Sequence, residues 1–198
     1  QPSSGQSSCL DADAGYYVAS TGSSTQTPCS LGTYQPYTGQ ASCISAGAGY
    51  YVDTTASANQ TACAAGTYQP STGQTSCLDA DAGYFVGSTA STSQTACASG
   101  TYQPSTGQSS CLDAPAGTYV DTMGATSPTD CSAGTYQPST GQTSCLDSSP
   151  GYYVGTTAAT NQTACGLGTY QPNSGQISCI DASPGNYVNT TAATNQTA

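Results

Sequence analysis

CSLGTYQPYTGQASC, from Cys29 to Cys43, is the stretch on which the fold turns. It returns with small changes at Cys63–Cys77, Cys97–Cys111, Cys131–Cys145 and Cys165–Cys179, each copy 34 residues after the last. Between the copies the cysteine spacing alternates 20 and 14, starting from Cys9, with no insertion or deletion. A shorter period lies inside this one. An aromatic residue stands at every multiple of 17, from Tyr17 to Tyr187, with Phe85 the one phenylalanine in the series. Two residues before each aromatic is a glycine, from Gly15 to Gly185. The unit of 34 is therefore two half-units of 17, one carrying a pair of cysteines and one carrying none.

Sliding Cys29 and Cys43 back by 17 lands on Ala12 and Gln26. Across the cysteine-free half-units the first slot holds Ala12, Ala46, Ala80, Ala114, Ser148 and Ala182. The second holds Gln26, Gln60, Gln94, Pro128, Gln162 and Gln196. Both cysteines are lost together every time. That is the pattern of two positions joined to each other, since a lone leftover thiol would be reactive. It predicts the bridges Cys29–Cys43, Cys63–Cys77, Cys97–Cys111, Cys131–Cys145 and Cys165–Cys179, with Cys9 left over. The shifted pairing, Cys9–Cys29, Cys43–Cys63 and onward, leaves Cys179 over instead, and the spacing alone keeps both open. Either way one cysteine of 11 is odd, so residues 1–198 read as one continuous array, a window of a longer protein.

Composition bounds what such an array can do. Lys, Arg, His, Glu and Trp are absent, and the ten charges are all Asp, for a net charge of -10. Without cations the chain cannot displace counterions from phosphates, so nucleic acid and anionic membrane surfaces are excluded as partners. No apolar run approaches the roughly 20 residues of a membrane span. No Ser or Cys has its usual activating base, so the chain is read as no enzyme, with no cofactor. Zinc is not indicated, because there is no C-x2-C and no His. Leu, Ile, Val and Phe together number 16, too few for an ordinary core. Regular cysteines without a metal pattern imply disulfides and an oxidising compartment, secreted or at the cell surface.

Helix is disfavoured, because no segment has apolar residues at a 3.6-residue period and glycine recurs every 17. Thr33 to Gln40 reads as strand, turn, strand, with Pro36 setting the turn and Gly39 closing it. A bridge would staple that hairpin, and a Tyr ring packed on the bridge or the next unit would stand in for a core. The expected fold is small, disulfide-rich and mostly β or irregular: an elongated tandem-repeat rod of 34-residue units without helix.

The pattern C-x2-G-x-Y-x8-C followed by a second G-x-Y unit resembles the ephrin-receptor-like cysteine-rich repeat. It is also similar to the first, single-bridge module of tumour necrosis factor receptor cysteine-rich domains. Cys29, Gly32, Tyr34, Gly39 and Cys43 carry the resemblance, with their copies at +34, so it covers the whole chain. It implies that the two cysteines of each module are bridged to each other. The C-x2-C that usually follows in the family is replaced here by Ile44, Ser45 and Ala46.

Two kinds of site need weighing. Asp11 with Asp13 and Asp79 with Asp81 resemble the start of a calcium loop, but the twelfth position holds Gly22 and Ala90 instead of a bidentate carboxylate. They read as turn aspartates, with no metal. Asn59, Asn161, Asn189 and Asn195 are sequons in a chain already assigned outside the cell. Three of them occupy one repeat slot, held elsewhere by Thr25, Ser93 and Ser127, and Ser plus Thr make up 61 residues. A glycan-bearing surface follows, with covalent sugar as an expected partner alongside continuation or self-association of the array. Two functions remain. One is an extracellular structural rod or filament; the other is the stalk or ligand-binding ectodomain of a receptor or adhesin.

Overall fold

The computed structural model describes residues 3–4 and 8–198. Among these there is no helix, and every strand is two residues long and paired antiparallel with another. Thr33–Tyr34 pairs with Ile44–Ser45, placing Tyr34 opposite Ile44. In the neighbouring cysteine-free half-unit Tyr50–Tyr51 pairs with Thr61–Ala62, placing Tyr51 opposite Thr61. The same hairpin thus forms with or without cysteines. Its entry is a tight turn: the Thr33 N–H donates to Ser30 O at 3.0 Å, and Gly32 sits third in the turn at φ 76°. Only glycine takes that conformation without steric cost.

The return strand is displaced from where the sequence placed it. It begins immediately after Cys43, at Ile44, and Gln35 to Cys43 form the connecting loop. The loop is held from inside by Gln35, which is 3% exposed. Its Nε2 donates to Ser42 O at 2.8 Å, and its Oε1 accepts from the Tyr37 N–H at 3.1 Å. Gln69, Gln137 and Gln171 repeat the arrangement with Ser76, Ser144 and Ser178. A buried amide with its polar atoms engaged is tolerable where an unpaired one is not.

The chain divides into two compact units, Gln1–Thr95 with Thr106–Ser110, and Ala96–Ser105 with Cys111–Ala198. In the first, the Gly32 N–H donates to Val52 O, the Gln35 N–H to Ser57 O, and the Ala56 N–H to Cys29 O, at 2.8, 3.0 and 2.9 Å. In the second, the Gly117 N–H donates to Gln137 O, the Val120 N–H to Gln142 O, and the Gly141 N–H to Ala114 O, at 2.7, 3.0 and 2.8 Å. The first set leaves a bridged half-unit and the second an unbridged one. Both run to equivalent atoms 17 residues on, so one backbone ladder serves both kinds of half-unit.

The core is two narrow columns. Three residues before each glycine, cysteine alternates with a small residue: Cys29, Ala46, Cys63 and Ala80 in one unit, Cys131, Ser148 and Cys165 in the other, all fully buried. Three residues after it, Gln alternates with Val, as in Gln35, Val52, Gln69 and Val86. Ser148 is the polar member of the first column, and its Oγ accepts from the Gln176 N–H at 2.9 Å. The aromatics at multiples of 17 are half-buried beside these columns, and Tyr187 is exposed. The expectation that their rings replace a core is therefore corrected: from Gln35 onward, the residue following each ring is the buried one. The rings sit in the strands, whose short pleat leaves one edge to solvent.

Candidate functional site

Each bridge joins two successive hairpins. Cys29 follows the strand Thr27–Pro28, and Cys43 precedes the strand Ile44–Ser45, with 5.7 Å between their Cα atoms. Cys63–Cys77, Cys97–Cys111, Cys131–Cys145 and Cys165–Cys179 repeat this at 5.7 to 5.8 Å. These separations lie in the ordinary range for a disulfide. The first cysteine of each pair is fully buried and the second is half-buried. Cys9 is free and exposed.

What fills the bridge's place in the other half-units was not read from the sequence. Gln26, in the slot of the second cysteine, turns its Oε1 to the Asp13 N–H at 2.7 Å. Gln60 accepts from the Gly47 N–H, Gln94 from the Asp81 N–H, Gln162 from the Ser149 N–H and Gln196 from the Ser183 N–H, at 2.6 to 2.7 Å. Each glutamine ties the return side of its hairpin to the residue after the Ala or Ser of the first slot, so a hydrogen bond spans the gap that a disulfide spans elsewhere. The exception explains itself. Pro128 replaces the glutamine in one half-unit, and there the donor position is Pro115, which has no N–H to satisfy. That paired change was legible in the sequence, but only to a reader who knew which backbone group the glutamine served.

The same contacts account for the aspartate pairs. Gln26 Nε2 donates to Asp13 Oδ2 at 2.7 Å, and Gln94 Nε2 to Asp81 Oδ2 at 2.6 Å. Asp11 and Asp79 do something else: their carboxylates lie over the backbone of Gly39 and Gly107 in the following 34-residue unit. The four sequon asparagines are exposed. Gln60, Gln162 and Gln196, the middle residues of three sequons, are the tethering glutamines, so in those sequons the asparagine faces out while its neighbour folds in. Of the tyrosines outside the 17-residue series, Tyr37 is exposed, while Tyr16, Tyr50, Tyr84 and Tyr152 are half-buried in strands.

A family model described as tyrosine-protein kinase ephrin type A/B receptor-like matches residues 15–63, 49–97, 83–131 and 151–198. The chain belongs to this ephrin-receptor-like family. Each match is about three half-units long, and each starts at the glycine of a cysteine-free one. The ephrin-receptor-like repeat is a non-catalytic, typically extracellular module. No curated protein matches the chain significantly. No helix among the described residues is long and apolar enough to cross a membrane.

The tether makes a prediction. In Cys63→Ala with Cys77→Gln, a bridged half-unit takes the residues of an unbridged one, and the glutamine introduced in the second slot can accept from the Ala64 N–H. The variant should fold, giving up part of the roughly 3 kcal/mol of a 15-residue bridge. It should be about 1 kcal/mol more stable than Cys63→Ala with Cys77→Ala, the net value of one hydrogen bond. Denaturant midpoints of the two double variants decide it: equal midpoints would remove the tether.

Proposed function

We propose that the chain is a stretch of an extracellular structural array, a disulfide-stapled rod or filament bearing glycans. The observation that carries this is the sameness of the half-units. One set of backbone hydrogen bonds recurs from step to step in each compact unit, and among the described residues no half-unit departs from it to build a distinct binding site. Repetition without a deviant member suits a material more than a receptor, because specific recognition needs a place that differs from its surroundings. A second reading is supported by family membership: the stalk or ligand-binding ectodomain of a cell-surface receptor or adhesin. Electron microscopy of the native source separates them. Filaments with a periodic subunit are expected; isolated membrane-anchored molecules would establish the second reading in their place.

Glycans belong to the same proposal. Asn59, Asn161, Asn189 and Asn195 are exposed, and sugar there would shield hairpin edges that this chain, having no Lys, cannot guard with cations. The native mass should fall on enzymatic and chemical deglycosylation. A native mass equal to that of the bare polypeptide would take the coat out of the proposal.

A further inference from the structure

One repeating slot holds side chains that are apolar, exposed and unexplained by the fold. The first residue of the return strand in every bridged half-unit, and its equivalent near the N-terminus, is aliphatic: Leu10, Ile44, Leu78, Leu112, Leu146 and Ile180. Their exposures are 70%, 43%, 47%, 47%, 47% and 44%. The same slot in the alternate half-units is Thr without exception, from Thr27 to Thr197. Thr61 holds the same register against Tyr51 that Leu78 holds against Tyr68. The hairpin therefore has no need of an aliphatic side chain at this position, yet one unit in each 34 residues presents it to water.

We propose that the three such side chains of each compact unit are the surface through which the chain associates side by side with a second copy of itself. The inference rests on the array reading and names its contact surface. Three observations select this partner. The patch carries no charge: register partners share a face, so Leu78 lies beside Tyr68, Leu112 beside Tyr102 and Leu146 beside Tyr136. The aspartate that follows each leucine points to the opposite face, where the carboxylates of Asp79, Asp113 and Asp147 lie over glycine backbone of the next unit. Two copies can thus meet here without setting carboxylate against carboxylate, and a cationic partner finds nothing to pair with. Size is the third consideration. One Leu–Tyr pair is far below the roughly 800 Å² per partner of a stable interface. Each compact unit presents three such aliphatics at 34-residue intervals. A partner gathers them together only if it repeats at the same interval, which turns weak contacts into avidity. A second copy of the chain has that interval.

The test uses the chain with Cys9 alkylated, to exclude disulfide-linked pairs, and the variant Leu78→Thr/Leu112→Thr/Leu146→Thr. Threonine is what the alternate half-units carry in this slot, so the variant should match the parent in circular dichroism and denaturant midpoint. Sedimentation velocity should show concentration-dependent association of the parent, with the variant at least about tenfold weaker. A parent that stays monomeric to about 100 µM overturns the proposal, as does a variant that associates equally well. Electron microscopy of the same samples keeps the two proposals apart. Filaments formed equally by parent and variant would overturn this surface and leave the filament standing. A parent that pairs through these aliphatics but builds no filament would do the reverse.

Discussion

Reducing the five bridges should unfold the chain, even though half of its 17-residue steps hold the same backbone with no bridge at all. Each bridge closes a loop of about 15 residues and is worth roughly 3 kcal/mol in the chain-entropy model. Five together approach about 15 kcal/mol, the upper end of the whole stability of an ordinary domain. The buried columns have little to set against that loss. They contain Cys, Ala, Ser, Val and Gln, and the larger aliphatics lie on the surface. The unbridged half-units keep their glutamine tethers, but each is worth only about 1 kcal/mol net. They hold their shape because bridged neighbours on both sides fix the ladder's ends. The measurement is far-UV circular dichroism with protease sensitivity, before and after reduction and alkylation. Chymotrypsin suits the 15 tyrosines, whereas trypsin has no Lys or Arg to cut at. A reduced chain that kept its spectrum and resistance would show that ladder and tethers suffice without the staples.

Features that repeat were legible in the sequence, and those that depend on which backbone atom meets which were not. The period of 34, its halving to 17, and the joint absence of Cys29 and Cys43 equivalents needed no coordinates. The ephrin-receptor-like resemblance rested on Cys29, Gly32, Tyr34, Gly39 and Cys43 and their copies, of which the family model spans all but Gly134 to Cys145. The return strand was misplaced because a two-residue strand has no alternation to read: Ile44–Ser45 and the loop residues before it are equally plausible as strand from composition. The core was misassigned for a related reason. Aromatics attract attention as core candidates, while Gln35 does not, yet in this narrow space a glutamine that folds back on its own loop is buried and Tyr34 beside it only half so. The regular change from aliphatic to Thr along Leu10, Thr27, Ile44 and Thr61 was visible in the sequence. Its meaning depended on exposure, which only the fold supplies.

Gly66→Ala should cost about 2–5 kcal/mol, more than the roughly 1 kcal/mol of a typical point substitution. Gly66 has φ 90°, and an alanine there loses about 1–2 kcal/mol to left-handed backbone alone. The larger part comes from a neighbour. A Cβ on Gly66 would overlap the carbonyl oxygen of Gly107 and stand 3.0 Å from its carbon. Neither backbone can retreat. The Gly66 N–H is bonded to Val86 O and the Gly66 carbonyl to the Ala80 N–H, while the Gly107 N–H is bonded to Ala80 O. Forcing atoms into such a site costs about 1–3 kcal/mol more. Gly168 supplies the control: its φ is 79°, but nothing lies within 4 Å of where its Cβ would be. Gly168→Ala should lose only the left-handed penalty, about 1–2 kcal/mol. Denaturant midpoints of the two variants give the comparison, and equal losses would mean that the close approach imposes nothing. The close approach also explains why glycine fills this slot at Gly15, Gly32, Gly49, Gly66, Gly100, Gly117, Gly134 and Gly151, each of which meets a backbone carbonyl oxygen in the same way, where a turn alone would accept Asn. Gly66 meets Gly107 across two half-units, a full 34-residue step, whereas the backbone hydrogen bonds link each half-unit to the next. Each half-unit is thus fixed against two successors at once. An inserted residue would break both registers, which gives a physical reason for a spacing that never varies along the chain.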